Sequence, residues 1–216
     1  MKQQDIQVAK TARYFLLGET NDPIEEVWFI CHGHGHLAEY FIKHFEVLDN
    51  GKTLVVAPEA LNRYYLKGVY GRVGAFWMTK EERLSDIHDY VRYLDAVHAE
   101  VLQKLDAGVR INVLGFSQGA ATVCRWLANQ QSRVDRMILW GGRFPVDFDY
   151  DNNRDYFNQF RVQIAIGDND EYADAAYIQR ERDLLDAQGL QHEFFLFDGT
   201  HAIQPELLKK LAENFR

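Results

Sequence analysis

One serine of this chain stands in a setting that could make it a nucleophile. Ser117 lies between Gly115 and Gly119, after a short apolar run with strand character and before a helical stretch at 120–129. A serine on so sharp a turn between strand and helix is forced into a strained backbone conformation, and side chains two residues to either side would collide. Glycine at both positions removes those side chains. The pattern therefore predicts a turn that exposes the hydroxyl of Ser117.

The pentapeptide from Gly115 to Gly119 is a weak signal on its own. Three fixed positions of this kind arise by chance in about 7 of 100 chains of this length. The alternative is a glycine-rich connection with an exposed serine that has no chemical role. A nucleophilic role therefore requires a base, an orienting acid and an oxyanion hole elsewhere in the chain.

The candidate base is a histidine, because an ordinary pKa of about 6.5 lets imidazole accept and return a proton near pH 7. His201 is preferred, since it follows the last predicted strand in a loop of small residues. His44, His88 and His98 fall on predicted helices, where they are expected to be surface or core residues, and His192 leads into a strand. The base is therefore predicted to be His201.

The candidate acid lies in a turn that follows the preceding predicted strand. An acid there would orient His201 and stabilise the imidazolium that forms during the reaction. The order Ser, Asp, His along the chain directs attention to this turn, but spacing does not separate Asp168 from Asp170. Asp198, three residues before His201, is interpreted as a turn residue.

A loop rich in histidine and glycine, His32-Gly33-His34-Gly35-His36, follows the second predicted strand. Its glycines would let backbone N–H groups approach a developing negative charge. The amide of Gln118, at the N-terminus of its helix, would supply a second donor. Three histidines at alternate positions could instead ligate a metal ion. No cysteine or carboxylate completes that set locally, so neither a metal nor a cofactor is predicted.

The elements that must position these residues alternate between strands and helices. Alternation predicts an α/β fold, with a mostly parallel, twisted sheet of about seven strands and helices on both faces. The first strand is expected to form an antiparallel hairpin at one edge. In such a sheet the ligand site lies at the carboxyl ends of the strands, where all the candidate residues fall. The predicted strands are 11–17, 27–31, 53–57, the run before Gly115, 136–141, 160–166 and 194–197.

Helical periodicity predicts the remaining elements. A first helix spans the region of Leu37 to Leu48. A capping box at 79–82 opens a long helix that ends at Gly108 and has Leu84 in its buried stripe. Two further helices are predicted at 120–129 and 173–188, and a closing helix has Leu207, Leu208, Leu211 and Phe215 on its inner face.

Two long connections could shape a substrate pocket. Residues 58–78 have no clear period but many aromatic side chains, and 143–159 form an acidic connector. Loops of this length often line a site, although the first could merely cover the sheet. Phe76 and Trp77, with Phe116 beside the serine, are candidate pocket residues for an apolar or aryl acyl group. Arg63, Lys67 and Arg72 are interpreted first as solvated loop charges and second as contacts for an anionic substrate group.

The bulk properties are those of an ordinary globular protein. The 216 residues are expected to form one domain, 1–216, and the net charge of −8 without a basic cluster argues against nucleic-acid binding. Cys31 and Cys124 are expected to be small core residues without a disulfide. An apolar leader and a run long enough to span a membrane are both missing, which predicts a cytoplasmic location. Oligomeric state is left open, with a homodimer among the alternatives.

With these motifs in order, the chain resembles the α/β-hydrolases, and among them the small capless esterases of the phospholipase/carboxylesterase group, which includes acyl-protein thioesterases. The resemblance runs from the loop at 32–35 to the final helix. The group's Gly-x-x-Asp turn falls on 167–170, which implies Asp170 as the acid. Its His-Gly-x-Gly motif implies the amide of His34 as the second oxyanion donor, and its Gly-x-His segment falls on 199–201.

The resemblance implies a serine hydrolase that acts on a small-molecule carboxylic ester through an acyl-enzyme, with Ser117, His201 and Asp170 as its triad. Alternatives are a thioesterase or amidase with the same triad, or a ligand-binding protein that retains the fold. The chain departs from the group at His34, at His36-Leu37, where a Gly-Asp pair is usual, and at Glu171-Tyr172. Its aromatic segment 61–77 also lacks a clear counterpart. These departures put any particular acyl substrate in doubt.

Overall fold

The computed structural model describes residues 1–20 and 23–213. Residues 1–13 contain neither helix nor strand. The strands of the described chain are β1 (Tyr14–Leu17), β2 (Glu26–Cys31), β3 (Thr53–Pro58), β4 (Asn62–Tyr65), β5 (Val73–Phe76), β6 (Arg110–Phe116), β7 (Arg136–Trp140), β8 (Arg161–Gly167) and β9 (Glu193–Phe197). Its helices are α1 (Ala38–Phe41), a 3₁₀ helix (Ile42–Leu48), α2 (Arg83–Leu102), α3 (Gln118–Gln130), α4 (Tyr150–Phe157), α5 (Ala175–Ala187) and α6 (Pro205–Glu213).

Seven of these strands form one sheet in the order β1-β3-β2-β6-β7-β8-β9. Every neighbouring pair is parallel except β1 and β3. The predicted α/β fold with a mostly parallel sheet of about seven strands is confirmed. The carboxyl ends of β2, β6, β7, β8 and β9 therefore meet at one edge, where the candidate residues lie.

The sheet is apolar on both faces because helices cover both. Along β2, Val27, Phe29 and Cys31 point into one hydrophobic cluster, while Trp28 and Ile30 point into the other. The first cluster is closed by α2, α3, α4 and α5. The second is closed by α1, the 3₁₀ helix and α6. Continuous burial explains why strands such as β2 and β3 were predicted from unbroken apolar runs.

Strand β1 lies at the sheet edge and is antiparallel, as predicted, but the predicted hairpin is wrong. Its partner is β3, with Tyr14 opposite Pro58, so that β3 separates it from β2. At the end of β1, Gly18 adopts φ +96°, and a Cβ there would lie 2.7 Å from the carbonyl oxygen of Thr53. The chain thus crosses close over the start of β3 instead of turning back on itself.

Both long connections contain regular structure that the sequence pattern did not predict. Within 58–78, β4 and β5 form an antiparallel hairpin outside the main sheet. Within 143–159, α4 begins where the Asp149 side chain accepts a hydrogen bond from the amide of Asn152 at 3.1 Å. These strands have four residues each and α4 has eight, which is too short for a periodicity to stand out.

The prediction that a capping box at 79–82 opens α2 is wrong. The helix begins at Arg83, after Glu82 in a left-handed conformation with φ 48°. The hydroxyl of Thr79 accepts a hydrogen bond from the nearby amide of Glu81 instead of capping the helix. Because the helix starts later, Leu84 is 69% exposed instead of buried.

The remaining predictions of core residues are largely confirmed. Cys31 and Cys124 are buried and free, and burial raises the pKa of both thiols. Leu208 and Leu211 of α6 are buried and Leu207 is half-buried, while Phe215 lies outside the described residues. No helix within 1–20 and 23–213 has both the length and the apolar character that a membrane span requires.

Candidate active site

Ser117 is the single residue between the end of β6 and the start of α3. Its backbone has φ 53° and ψ −116°, a conformation that is strained for a residue with a side chain. A Cβ on Gly115 would overlap the carbonyl of Gly119, and a Cβ on Gly119 would overlap the carbonyl of Cys31. Glycine is therefore required twice, once for the turn itself and once for its contact with β2.

His201 and Asp170 are in direct contact. The Nδ1 atom of His201, between β9 and α6, lies 2.8 Å from Oδ2 of Asp170, which follows β8. The second carboxylate oxygen of Asp170 accepts a hydrogen bond from the amide of Tyr172 at 2.9 Å. The Asp170 side chain is 1% exposed and that of His201 16%. A buried carboxylate with both oxygens bonded holds the imidazole in one orientation.

Asp168, the alternative that spacing left open, has a different role. Its carboxylate accepts hydrogen bonds from the amide of Gly199 at 3.1 Å and from the side chain of Asn169 at 2.9 Å. The amide of Asn169 in turn donates to the carbonyl of Gly199 at 2.9 Å. Asp168 thus ties the turn after β8 to the loop that carries His201. Asp198 is exposed, and its backbone carbonyl accepts a hydrogen bond from Gln204 at 3.4 Å.

The ring of His201 lies over Phe116, the residue before Ser117. Their ring centroids are 4.9 Å apart. Two glycines after β7 make room for this approach. A Cβ on Gly141 would lie 3.0 Å from Cε1 of His201, and one on Gly142 would lie 2.7 Å from the carbonyl oxygen of Ser117. The two residues after β7 therefore lie against the ring of His201 and the backbone of Ser117.

Two backbone amides near Ser117 have no acceptor within the described chain. Gln118 is the first residue of α3, so its N–H belongs to the helix turn that lacks an intrahelical partner. The amide of His34 makes no hydrogen bond to any described residue, whereas its neighbour Gly35 donates to Ala75 at 2.8 Å. A Cβ on Gly33 would lie 3.2 Å from Cβ of Ser117, which shows how closely this loop approaches the serine. Neither amide is used in a hydrogen bond within the described chain.

A chain of hydrogen bonds connects the two sides of this arrangement. The Gln118 side chain accepts from the amide of Trp77 at 2.9 Å and donates to the carbonyl of Met78 at 2.8 Å. The indole N–H of Trp77 donates to the carbonyl of His32 at 2.8 Å. Trp77 and Met78, which follow β5, therefore connect the start of α3 to the histidine loop and fix the distance between them.

His32 is buried and neutral. Its Nδ1 donates to the carbonyl of Gly33 at 2.8 Å, and its Nε2 accepts from the amide of Ala60 at 3.1 Å. Burial lowers the pKa of His32 to about 4, because a charged imidazolium would lose its hydration and could not accept from Ala60. His32 is thus a structural residue of the loop.

The three loop histidines diverge, so the arrangement does not fit the metal alternative. His32 points into the core, the Nε2 atom of His34 lies 2.6 Å from the hydroxyl of Tyr64, and the ring of His36 stacks on Phe116. Among the described residues, no group of three or more histidine, cysteine, aspartate or glutamate side chains is placed to hold a metal ion.

A model of the phospholipase/carboxylesterase family matches residues 13–216. The chain belongs to the phospholipase/carboxylesterase family. Solved structures with the same fold include acyl-protein thioesterase 2 of Zea mays, which is 16% identical, with 95% of this chain and 98% of that one covered and a TM-score of 0.71. Esterase PE8 is 17% identical, with 96% and 100% covered and a TM-score of 0.73. A Mesorhizobium loti carboxylesterase is 16% identical, with 94% of each chain covered and a TM-score of 0.70.

No curated protein matches the chain. Membership in the family supports a hydrolase of the carboxylesterase or thioesterase kind. The solved structures are too distant in sequence to carry a substrate over, and they establish the fold.

Two of the three residues that were predicted to line a substrate pocket are buried. Trp77 is 1% exposed and Phe116 is 3% exposed, so both support the loops around Ser117. Phe76 is half-buried, with its ring centroid 5.9 Å from that of His34. Of the basic residues, Arg63 is paired with Glu59 at 3.2 Å.

Tyr172 and His36 were not predicted to act at the site, yet both contact its aromatic residues. Tyr172 packs edge-on against His201 with centroids 4.7 Å apart, and it remains 69% exposed. Its position two residues after Asp170, where the family pattern differs, was the available signal. His36 lies on the opposite side, over Phe116, at another position where the chain departs from the family.

Proposed function

We propose that this chain is a serine carboxylesterase that hydrolyses esters of small to medium acyl groups through an acyl-enzyme. Ser117 is the nucleophile, His201 the general base and acid, and Asp170 the residue that orients His201. The amides of His34 and Gln118 form the oxyanion hole. No metal ion or cofactor takes part.

The observation that carries the proposal is the contact between His201 and Asp170 beside the strained Ser117. Because an ionised carboxylate only accepts, the 2.8 Å contact puts the imidazole proton on Nδ1 and leaves the Nε2 lone pair free. Ser117 stands at the N-terminus of α3, where the helix dipole favours negative charge. A buried acid, an oriented base and a strained serine in this order serve no evident purpose in a purely structural loop.

Acylation begins when the Ser117 Oγ attacks the ester carbonyl carbon and its proton passes to Nε2 of His201. The carbonyl oxygen takes up the negative charge and accepts hydrogen bonds from the two free amides, each of which contributes about 3 kcal/mol in a preorganised site. The tetrahedral intermediate collapses, and the departing alkoxide takes the proton from Nε2. The products are the alcohol and the acyl-enzyme.

Deacylation repeats these steps with water as the nucleophile. His201 removes a proton from water, hydroxide adds to the acyl carbon, and the same amides hold the oxyanion. Collapse breaks the bond to Ser117, whose Oγ recovers its proton from Nε2. The carboxylic acid leaves, and Asp170 remains ionised throughout, stabilising the imidazolium in each half-reaction.

Hydrolysis of p-nitrophenyl acetate and butyrate tests this proposal. Ser117→Ala should reduce the rate to background, while Ser85→Ala, which removes an exposed serine of α2, should leave it unchanged. Undiminished hydrolysis by a folded Ser117→Ala protein would overturn the proposal. Matched oxyester, thioester and anilide substrates then measure which bond is preferred.

A further inference from the structure

His36 shares an aromatic neighbour with the proposed general base. Its ring stacks on Phe116 at a centroid distance of 5.5 Å and an interplanar angle of 12°, and the same Phe116 ring lies 4.9 Å from His201. Phe116 immediately precedes Ser117 in the chain. The Phe116 ring therefore contacts both imidazoles, which places His36 beside the proposed site.

The imidazole of His36 is firmly placed but makes no hydrogen bond to another described residue. Its backbone is fixed at both ends, since its amide donates to Gly33 at 3.2 Å and its carbonyl accepts from Ala75 at 3.0 Å. The rings of His32 and His34 differ, because each has a hydrogen-bonding partner. His36 thus offers a polar edge that the protein itself does not use.

The guanidinium of Arg72 is close enough to this edge to affect the charge of His36. Burial is the largest cause of the lowered pKa of His36, and His44, Arg72, His201 and His34 lower it further, with no carboxylate opposing them. Arg72 directly precedes β5, which is bonded to the histidine loop through Ala75. Unlike Arg63, Arg72 forms no ion pair with a described acidic residue.

We propose that His36 and Arg72 form a subsite beside Ser117 for a carboxylate carried by the ester substrate. The inference rests on the proposed esterase function and names its substrate class. A guanidinium presents a planar fork of donors that suits the two oxygens of a carboxylate, and an imidazole N–H can supply one further donor. Substrates of this class are half-esters of short dicarboxylic acids, with the anion in the acyl group, or esters of hydroxy acids, with the anion in the leaving group.

Paired substrates test the subsite and distinguish the two placements of the anion. Mono-p-nitrophenyl succinate is compared with p-nitrophenyl butyrate, and 4-acetoxybenzoate with its neutral methyl ester. The variants are Arg72→Gln and His36→Gln. Each should lower the ratio of kcat/KM for the anionic ester to kcat/KM for the neutral ester by about three- to fivefold, a modest effect because Arg72 is exposed, and the double variant should lower it about tenfold. In all of them kcat/KM for the neutral esters should stay within about twofold of the wild-type value.

Lys67→Gln is the matched control, because it removes the same charge from the exposed turn of the same hairpin. It should leave the ratio unchanged. An equal loss in Lys67→Gln would overturn the inference in favour of a general field effect. Unchanged ratios in both Arg72→Gln and His36→Gln would also overturn it, while leaving the esterase function intact.

Binding of succinate to the Ser117→Ala protein separates failure of the subsite from failure of the proposed function. The dissociation constant of succinate, measured by calorimetry, should rise about threefold or more when Arg72→Gln is added to Ser117→Ala. If the wild-type protein hydrolyses no ester but this difference is found, the proposed function fails and the anion subsite stands. If esters are hydrolysed and succinate binds equally with and without Arg72, the subsite fails.

Discussion

His201 and Asp170 come from loops after two neighbouring strands and meet at 2.8 Å, Nδ1 to Oδ2. Asp168, two residues earlier, bonds instead to the backbone of Gly199 in the loop that carries the histidine. One carboxylate thus orients the imidazole and the other fixes the loop. Sequence spacing alone could not tell which aspartate has which role. Substitutions at the two positions should therefore have different effects on activity and stability.

Asp170→Asn should reduce kcat by about a thousandfold or more, because an amide in this position favours the wrong imidazole tautomer and cannot stabilise the imidazolium. Asp168→Asn should reduce kcat less than about tenfold and lower the free energy of unfolding by about 1 kcal/mol through the weaker bond to Gly199. Steady-state kinetics and urea denaturation measure both. A larger kinetic effect at Asp168 than at Asp170 would reverse the assignment.

Trp77→Phe should lower kcat about tenfold with KM within about twofold, since loss of the bond to the His32 carbonyl lets the histidine loop, with the proposed oxyanion donor His34, shift. Trp126→Phe is the matched control. It also removes a buried indole N–H, which donates to Asp95 at 2.7 Å and has no bond to the site. Equal effects of the two variants on kcat would show that the Trp77 bond serves stability alone.

Acid should destabilise the protein partly through His32. Its folded-state pKa of about 4 lies below the ordinary value near 6.5, so between these values the unfolded chain binds a proton that the folded chain does not. This contribution to the free energy of unfolding is complete above about pH 6.5 and falls by roughly 3 kcal/mol as the pH drops towards 4. Half-buried histidines with lowered pKa values, such as His36 and His98, add losses of the same sign.

Denaturant titrations between pH 7.5 and pH 4.5 measure this loss. In His32→Gln the decline in stability with falling pH should be distinctly shallower than in the wild type, whatever the stability at pH 7.5. His88→Gln, which replaces an exposed histidine of α2, should reproduce the wild-type slope. Parallel curves for the wild type and His32→Gln would refute the account of the buried neutral histidine.

Gly119→Ala should lower the free energy of unfolding by about 3 kcal/mol or more, because its Cβ would overlap the carbonyl of Cys31 at the end of β2. Gly108→Ala is the control, since a Cβ there would have no heavy atom within 4 Å. It should be neutral or slightly stabilising. Near-equal stabilities of the two variants would contradict the close packing of α3 on β2.

The fold could be predicted where local pattern and burial agree. Strands such as β6 and β7 are buried almost throughout, so their apolar runs marked them within a residue or two. Strand order is a long-range property, and no local signal places β1 beside β3 instead of β2. The β4–β5 hairpin escaped prediction because its strands have only four residues each, β4 alternates only between half-buried and exposed positions, and β5 does not alternate.

The candidate site could be predicted in its residue types but not in its contacts. Small residues around Ser117 and His201 marked the loops, because close backbone approach leaves no room for side chains. The choice of Asp170 came from a family resemblance, since it depends on how β8 and β9 lie side by side. Trp77 was expected to line a pocket, and nothing in its neighbours indicated that its indole would bond to His32.

Covalent labelling tests the central claim, that Ser117 is a nucleophile activated by His201, most directly. The folded protein is treated with a fluorophosphonate, digested and mapped by mass spectrometry. We expect one adduct, on the Oγ of Ser117, absent from Ser117→Ala and formed at least about a hundredfold more slowly in His201→Gln. An adduct on another residue, or equal labelling rates with and without His201, would contradict it.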